Sequence, residues 1–452
     1  MKSSCLLALI FGVAAAPLAA APLITTATFQ QGAAGYADSF DRKISPTGAA
    51  DANGADVDTD VLTNNYLLDG GGSALNDNSA RQGLLRFSNI AGGSGVPAGA
   101  KVIGATLDAV TSGGTDAQTG GTYNVYRLAT GFDASSTWAA PFGGDGLTGD
   151  VGEILGSFDD MDVVNSPTSA RVDRAVQAWV DGSPNLGFGI RSDQNTNGWS
   201  MNTTGAATVA NRPKLTVNYT LDPTVEITSY QEDVNSYAGT TDLRFDSGTG
   251  SAIDGSTQQQ QFLDGFDAAV PSPDQSYLLR FDGINLNYQQ IYRAELVIKS
   301  GFASTNADSP GPFNVHQMLE DWDTSTTYAS LDSNGDPAVN GPVELQAGGT
   351  IAAAGASVTG INDTEVIYID VTTIVENWRA GQANHGFYIG TPSPADGGTA
   401  NGWQIFLTGA ADSSFRPELR IIGIVPEPAT ATLLLAGGGL IAAVQRRRRP
   451  KD

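Results

Sequence analysis

The chain has 452 residues, enough for two or three domains, and its 40% share of hydrophobic residues argues against wholesale disorder. It carries 48 acidic and 24 basic side chains, and the resulting net charge of −24 excludes nucleic acid as a partner, because phosphate contacts need clustered Lys and Arg. The single cysteine, Cys5, lies in an N-terminal apolar segment and there are two histidines, so disulfides and cysteine sites are excluded and histidine-based triads are disfavoured.

The first 21 residues have the pattern of a secretory signal peptide. Lys2 precedes an apolar stretch over residues 6–16, which leads into a run of small residues ending at Ala20 and Ala21. We expect cleavage near those two alanines. The sequence therefore predicts an exported protein.

The rest of the chain contains two copies of one pattern, offset by about 190 to 204 residues. The matching segments and residues include 84–87 with 278–281, 123–126 with 313–316, Phe132 with Trp322, Trp138 with Tyr328, Trp179 with Trp378, and Arg212 with Arg416. We therefore predict two tandem modules, over residues 24–221 and 222–424. The joint at Asp222 is short, so the modules should sit close together.

Each copy has the pattern of antiparallel β-structure. Leu215, Val217 and Tyr219 alternate with polar residues, which is the period of a half-buried strand, and residues 103–109 follow the same rule. Many short strands separated by Gly- and Asp-rich turns favour an all-β fold of two jelly-roll-like sandwiches.

One short helix is predicted in each copy, around residues 173–180 and 372–378. Trp179 and Trp378 fall on the apolar face of these helices, and we expect both to be core residues. Gly182 and Gly381 should end the helices.

The repeated unit resembles the disaggregatase-related, or DNRLRE-type, carbohydrate-binding modules. The resemblance rests on the strands at 84–87 and 105–107, the strand leading to Trp138, the helix around 173–180, the segment 187–190 that follows it, the closing segment 212–215, and their counterparts in copy two. It implies a noncatalytic β-sandwich that associates with polysaccharide. Because the chain is acidic, we expect a neutral or weakly charged glycan.

Aromatic side chains beside the Gly-rich loops are the candidates for sugar binding, because the C–H faces of sugars stack on aromatic rings. Trp138 and Tyr328, at matching positions, are the first choices, and Phe132 and Trp322 are the second. The alternative is that each ring fills the core beneath its loop. Arg86 and Arg280 lie in apolar strands, where we expect structural roles.

An acidic loop in the second copy has alternating oxygen ligands that suit structural calcium, provided by Asp332, Asn334 and Asp336. It is no EF-hand, because Pro337 stands at its sixth position and Val343 at its twelfth. The alternative is a solvated turn.

We expect no enzymatic activity. His316 and His385 are each replaced in the other copy, and the shared residues are mostly core residues, which suits two binding modules better than one active site. A structural surface or matrix protein with no defined ligand is the competing interpretation. A polysaccharide-degrading enzyme is a less favoured one, which the 48 acidic side chains keep open because a glycosidase needs a pair of carboxylates.

The C-terminus has three parts in order: a Pro-Glu-Pro triplet, an apolar run over residues 429–444, and a basic end. Their defining residues are Pro426, Glu427, Pro428, Arg446, Arg447, Arg448 and Arg449. As a helix the apolar run would be roughly 24 Å long, short of a hydrocarbon core of about 30 Å, so it would anchor a membrane only marginally.

This tail resembles the PEP-CTERM sorting signal of Gram-negative bacteria. The resemblance, over residues 425–452, implies export, transient anchoring in the inner membrane, and processing by an exosortase. It also implies a destination in the outer envelope or an exopolysaccharide matrix. The alternative is an ordinary C-terminal membrane anchor.

Overall fold

The computed structural model describes residues 24–46, 65–68, 80–113, 121–159, 161–192, 198–246, 252–264, 275–301, 311–327, 351–362, 364–391 and 402–426. The predicted signal peptide, residues 1–21, and the tail from Glu427 onwards lie outside these residues. Within them the fold is antiparallel β-sheet with two short α-helices, as the all-β prediction requires.

The first half of the chain forms eleven strands among the described residues. Their bounds are β1 Thr25–Gln30, β2 Ser39–Ile44, β3 Asn65–Leu68, β4 Gln82–Phe87, β5 Lys101–Val110, β6 Tyr123–Leu128, β7 Val151–Phe158, β8 Pro167–Arg171, β9 Phe188–Arg191, β10 Trp199–Asn202 and β11 Lys214–Thr220. They make a four-stranded sheet in the order β1-β11-β5-β8, a five-stranded sheet in the order β2-β4-β9-β6-β7, and the pair β10-β3.

The second half repeats this arrangement. Its strands are β12 Val225–Gln231, β13 Thr240–Asp246, β14 Ala252–Asp254, β15 Gln260–Leu263, β16 Gln275–Phe281, β17 Gln290–Lys299, β18 Phe313–Met318, β19 Ile351–Val358, β20 Val366–Asp370, β21 Phe387–Gly390, β22 Trp403–Phe406 and β23 Glu418–Ile424. The sheets run β12-β23-β17-β20 and β14-β13-β16-β21-β18-β19, with the pair β15-β22.

The four-stranded and larger sheets of each half enclose one core, which makes each half a β-sandwich. In the first half Leu85 and Phe87 of β4 meet Leu107 of β5 and Leu215 of β11 across the two sheets. The alternation of strand residues puts these side chains on the inner faces.

Helix α1 (Asp173–Val180) and helix α2 (Thr372–Arg379) lie at matching places in the two sandwiches. Trp179 and Trp378 are each 3% exposed, which confirms the prediction that both are core residues. Gly182 and Gly381 follow the helices with φ of +102° and +104°, a left-handed conformation that suits glycine at a helix end.

A buried aspartate lies at the matching place in each sandwich and accepts two hydrogen bonds from one threonine. Asp41 accepts hydrogen bonds from the Thr204 amide (3.0 Å) and hydroxyl (2.6 Å). Asp242 accepts the same two bonds from Thr408, and a third from the Tyr277 hydroxyl at 2.8 Å. Burial raises the pKa of Asp242 above its ordinary value, against the opposite effect of these hydrogen bonds.

The two sandwiches contact each other through buried charges. Asp173 at the start of α1 pairs with Arg420 of β23, and the two side chains are only 1% and 3% exposed. Beside this pair, Arg174 bonds Glu418 at 2.7 Å and Arg171 bonds Glu295 at 2.5 Å. Each of these three ion pairs joins residues from different halves of the chain.

Apolar side chains complete the contact. Tyr126 and Ile154 of the first sandwich cluster with Val297 and Val366 of the second. The outer face of the sheet β12-β23-β17-β20 is therefore covered by the first sandwich in the described part of the chain. The short joint at Asp222 is accompanied by close packing, as the sequence led us to expect.

Candidate functional site

The loop over residues 129–150 covers the outer face of the five-stranded sheet. Gln82, Leu84 and Arg86 alternate with the core residues of β4 and so point outward. The Gln82 side-chain oxygen accepts a hydrogen bond from the Leu147 amide at 2.8 Å, and Leu84 packs in an apolar cluster under the loop. This face of the sheet thus holds the loop in place.

Two of the sequence-predicted aromatic residues lie inside that cluster. Trp138 and Phe132 are each 5% exposed, and the Trp138 indole nitrogen donates to the Gly144 carbonyl at 2.9 Å. Gly146 has a φ of +62°, and a Cβ atom there would lie 2.6 Å from the Trp138 ring. The rings support the loop from below and leave little area on which a sugar could stack.

A groove of about 460 Å³ opens on the outer side of the loop. The Arg86 guanidinium forms part of its wall, donates to the Phe132 carbonyl oxygen at 3.1 Å, and lies 5.1 Å from the centroid of the Phe132 ring. Ala140 and Pro141 provide an apolar wall. The groove therefore combines a cation with apolar surface.

Hydroxyl and carboxylate groups line the rest of the groove. The Asp133 carboxylate accepts hydrogen bonds from the Ser135 amide (2.8 Å) and hydroxyl (2.6 Å), and these bonds hold the pKa of Asp133 below its ordinary value. The Asp133 amide donates to the Ser136 hydroxyl at 3.0 Å. The turn is thereby fixed with an ionised carboxylate on its exposed side.

The second sandwich carries the same turn. Asp323 accepts bonds from the Ser325 amide (2.8 Å) and hydroxyl, and its own amide donates to the Thr326 hydroxyl at 2.9 Å. Trp322, 3% exposed, stands where Phe132 does, and Arg280 lies 5.1 Å from its ring centroid. The turn and its arginine are thus features of both copies.

The two arginines differ in their partners. Arg280 bonds Asp282 at 3.1 Å and Asp321 at 2.7 Å, as expected for an arginine with a structural role. Arg86 forms no ion pair with any described carboxylate, and its Nε atom is buried with no hydrogen-bond partner there. In the sequence Ser88 and Gly131 stand where Asp282 and Asp321 do.

The remaining predicted site residues are outside the described part of the chain. Tyr328 and the proposed calcium ligands Asp332, Asn334 and Asp336 lie there. No group of three or more His, Cys, Asp or Glu side chains placed to hold a metal occurs among the described residues. The groove is not among the sites that the sequence predicts, although the repeat of Phe-Asp-x-Ser-Ser at 132–136 as Trp-Asp-x-Ser-Thr at 322–326 marks the turn.

The tail matches a known sorting signal. Residues 425–449 match the PEP-CTERM protein-sorting motif, which is processed by an exosortase, so the protein is exported and sorted with transient membrane anchoring. Val425 and Pro426 are the only residues of this motif within the described ranges, directly after β23. In those ranges no helix is both long and apolar enough to span a bilayer.

Other comparisons add little. No curated protein matches the chain. Allantoicase from Saccharomyces cerevisiae is a similar solved structure over 76% of this chain and 77% of its own, at 8% identity and a TM-score of 0.16. A likeness of this strength carries no argument about fold or activity.

Proposed function

We propose that this exported protein associates noncatalytically with polysaccharide and that the groove at Arg86 holds the glycan. The proposal is based on the chemical groups that line the groove and on its volume. Its guanidinium, hydroxyl and carboxylate groups can exchange hydrogen bonds with sugar hydroxyls, while Pro141 and Ala140 can face a sugar ring. Its volume of about 460 Å³ falls in the usual range for small-ligand sites.

Two further observations support the proposal. The resemblance of the tandem modules to DNRLRE-type carbohydrate-binding modules implies the same ligand class. The sorting motif at residues 425–449 favours a destination in the outer envelope or an exopolysaccharide matrix, where polysaccharide surrounds the protein. The ligand we propose is a neutral or weakly charged glycan, because the net charge of −24 repels dense polyanions.

The part played by the aromatic residues changes in this proposal. Trp138 and Phe132 hold the loop that forms the groove, and Trp322 lies buried beside the matching turn at Asp323, so these rings act as supports and not as platforms for stacking. Tyr328 keeps its proposed place as a stacking residue.

A structural role in the matrix, without a defined ligand, is the second candidate. The observation that favours it is the buried contact between the sandwiches, where the Asp173–Arg420 pair is almost inaccessible to water. Such a contact makes a stiff double module, which would suit a spacer. Saturable binding of a glycan distinguishes the two candidates.

The test is affinity electrophoresis of the purified protein through gels that contain dextran, cellulose derivatives or acidic glycans. We expect retardation by at least one of these, and a weaker effect for the variant Asp133→Ala with Ser135→Ala. The matched control is Asp323→Ala with Ser325→Ala in the second copy, which should migrate as the parent does. Normal migration of the folded parent in every gel would favour the structural role.

A further inference from the structure

The duplicated turns differ in the charge balance of their arginines. In the second sandwich the guanidinium of Arg280 has two carboxylate partners, Asp282 at 3.1 Å and Asp321 at 2.7 Å. In the first sandwich Ser88 and Gly131 take the places of those two residues, and no described carboxylate pairs with Arg86. The backbone contact to the turn is the same in both, at 3.1 Å from Arg86 to Phe132 and 2.8 Å from Arg280 to Trp322.

This difference matters because a guanidinium withdrawn from water needs an acceptor. Arg86 is partly buried, and its Nε atom is enclosed without a partner in the described part of the chain. Among the described residues, its one hydrogen bond is to a neutral carbonyl and its one ring contact is with Phe132. A ligand carboxylate is the strongest complement to such a group, because it forms charge-assisted hydrogen bonds with a planar fork of donors.

We propose that the groove at Arg86 binds the carboxylate of an acidic sugar unit within a sparsely charged polysaccharide, and that the matching place in the second sandwich does not. This inference rests on the proposed function and narrows it. In the second sandwich the carboxylates of Asp282 and Asp321 already occupy the acceptor positions around Arg280. In the first sandwich a ligand carboxylate would take that place beside Arg86.

The net charge of the protein limits how densely charged the glycan can be. At −24 the surface repels a polymer that carries a charge on every unit. An isolated carboxylate flanked by neutral sugars avoids most of that repulsion and still reaches Arg86. The groove thus selects for acidic units that are spaced along the chain.

The experiment exchanges the charge pattern of the two sandwiches. Ser88→Asp with Gly131→Asp gives Arg86 the two neighbours of Arg280. A Cβ atom at Gly131 would lie 3.5 Å from the nearest Leu186 methyl carbon, an ordinary contact, and its φ is not in the left-handed region, so the change is compatible with the fold. The reciprocal variant, Asp282→Ser with Asp321→Gly, removes two exposed carboxylates from Arg280.

The probes are hyaluronan, in which charged and neutral sugars alternate, neutral dextran, and alginate, which is charged on every unit. At 0.15 M salt we expect hyaluronan to retard the parent protein more than the other two. The Ser88→Asp, Gly131→Asp variant should bind hyaluronan about tenfold or more weakly, as expected for the loss of a charge-assisted hydrogen bond. The reciprocal variant should bind at least as well as the parent.

The outcomes separate this inference from the proposed function. Equal retardation by dextran and hyaluronan, preferential retardation by alginate, or an unchanged affinity of the Ser88→Asp, Gly131→Asp variant would overturn the carboxylate assignment and leave polysaccharide association standing. No retardation of the folded parent by any of the three would overturn both. Circular dichroism and the melting temperature of each variant confirm that it is folded.

Discussion

The ion pair between Asp173 and Arg420 offers a direct test of how firmly the two sandwiches are joined. The Asp173→Ala variant leaves the Arg420 guanidinium, which is 3% exposed, without its partner inside the contact. Removal of one member of a buried pair costs about 3–5 kcal/mol of unfolding free energy, because the remaining charge stays desolvated. Asp173 also accepts from Arg171 at 3.2 Å, so the loss should lie in the upper part of that range.

Differential scanning calorimetry measures the effect. If the two sandwiches unfold together, the unfolding entropy of about 2.1 cal/mol/K per residue converts this loss into a fall of roughly 4–6 °C in melting temperature. The control is Lys214→Ala, which breaks the 2.8 Å pair with Asp108 within one sandwich. The Lys214 side chain is 38% exposed, so we expect a change below about 1 kcal/mol.

A second variant separates the pair from other consequences of the substitution. Arg420→Met combined with Asp173→Ala removes both charges, and the combined loss should be smaller than the sum of the two single losses by about 2 kcal/mol. Additive losses, or a single loss no larger than that of Lys214→Ala, would refute the reasoning that this contact is buried and charge-paired in solution.

Three further predictions concern the sandwiches and their loops. Burial raises the pKa of Asp242, so ionisation of this carboxyl opposes folding. The parent should therefore lose stability relative to Asp242→Asn as the pH rises from about 4 through the raised pKa. If urea unfolding gave the same difference in unfolding free energy between the two proteins at pH 4 and at pH 7, the prediction would be wrong. Gly146→Ala should cost about 1–3 kcal/mol more than Gly149→Ala, because the added methyl at Gly146 would lie 2.6 Å from both the Trp138 ring and the Gln82 side-chain oxygen, whereas at Gly149 it meets nothing within 4 Å; equal melting temperatures of the two variants would argue against this packing under the loop. If the loop at residues 332–336 holds structural calcium, adding calcium should raise the melting temperature and a chelator should lower it, and an unchanged midpoint would remove the calcium site.

The helices show what the sequence could predict. Apolar spacing placed a helix at residues 173–180, and the structure has it at Asp173–Val180, with Trp179 in the core. The signal is local, because the spacing of residues on one turn decides which side chains face inward. The all-β fold followed from the same kind of local alternation.

The groove could not be predicted in that way. Trp138 lies in a Gly-rich loop, and nothing in the spacing of a loop tells which side of it packs against the sheet. Its burial depends on the outward face of β4, where Leu84 and Gln82 hold the loop down. Glu418 and Arg420 pose the same difficulty. Charged residues on a strand predict a face exposed to solvent, and their burial depends on the surface of the other sandwich, which the pattern of the strand does not reveal.

Strand pairing sets the order in which the exported chain can fold. In the first sandwich β1 pairs with β11, and Thr26 bonds Asn218 across 192 residues of chain. In the second, β12 pairs with β23, which ends at Ile424, one residue before the sorting motif. Each four-stranded sheet therefore lacks its inner strand until the end of its half has emerged. A chain delivered from its N-terminus would close the first sandwich early, while the second would stay open until the polypeptide had passed almost to the tail.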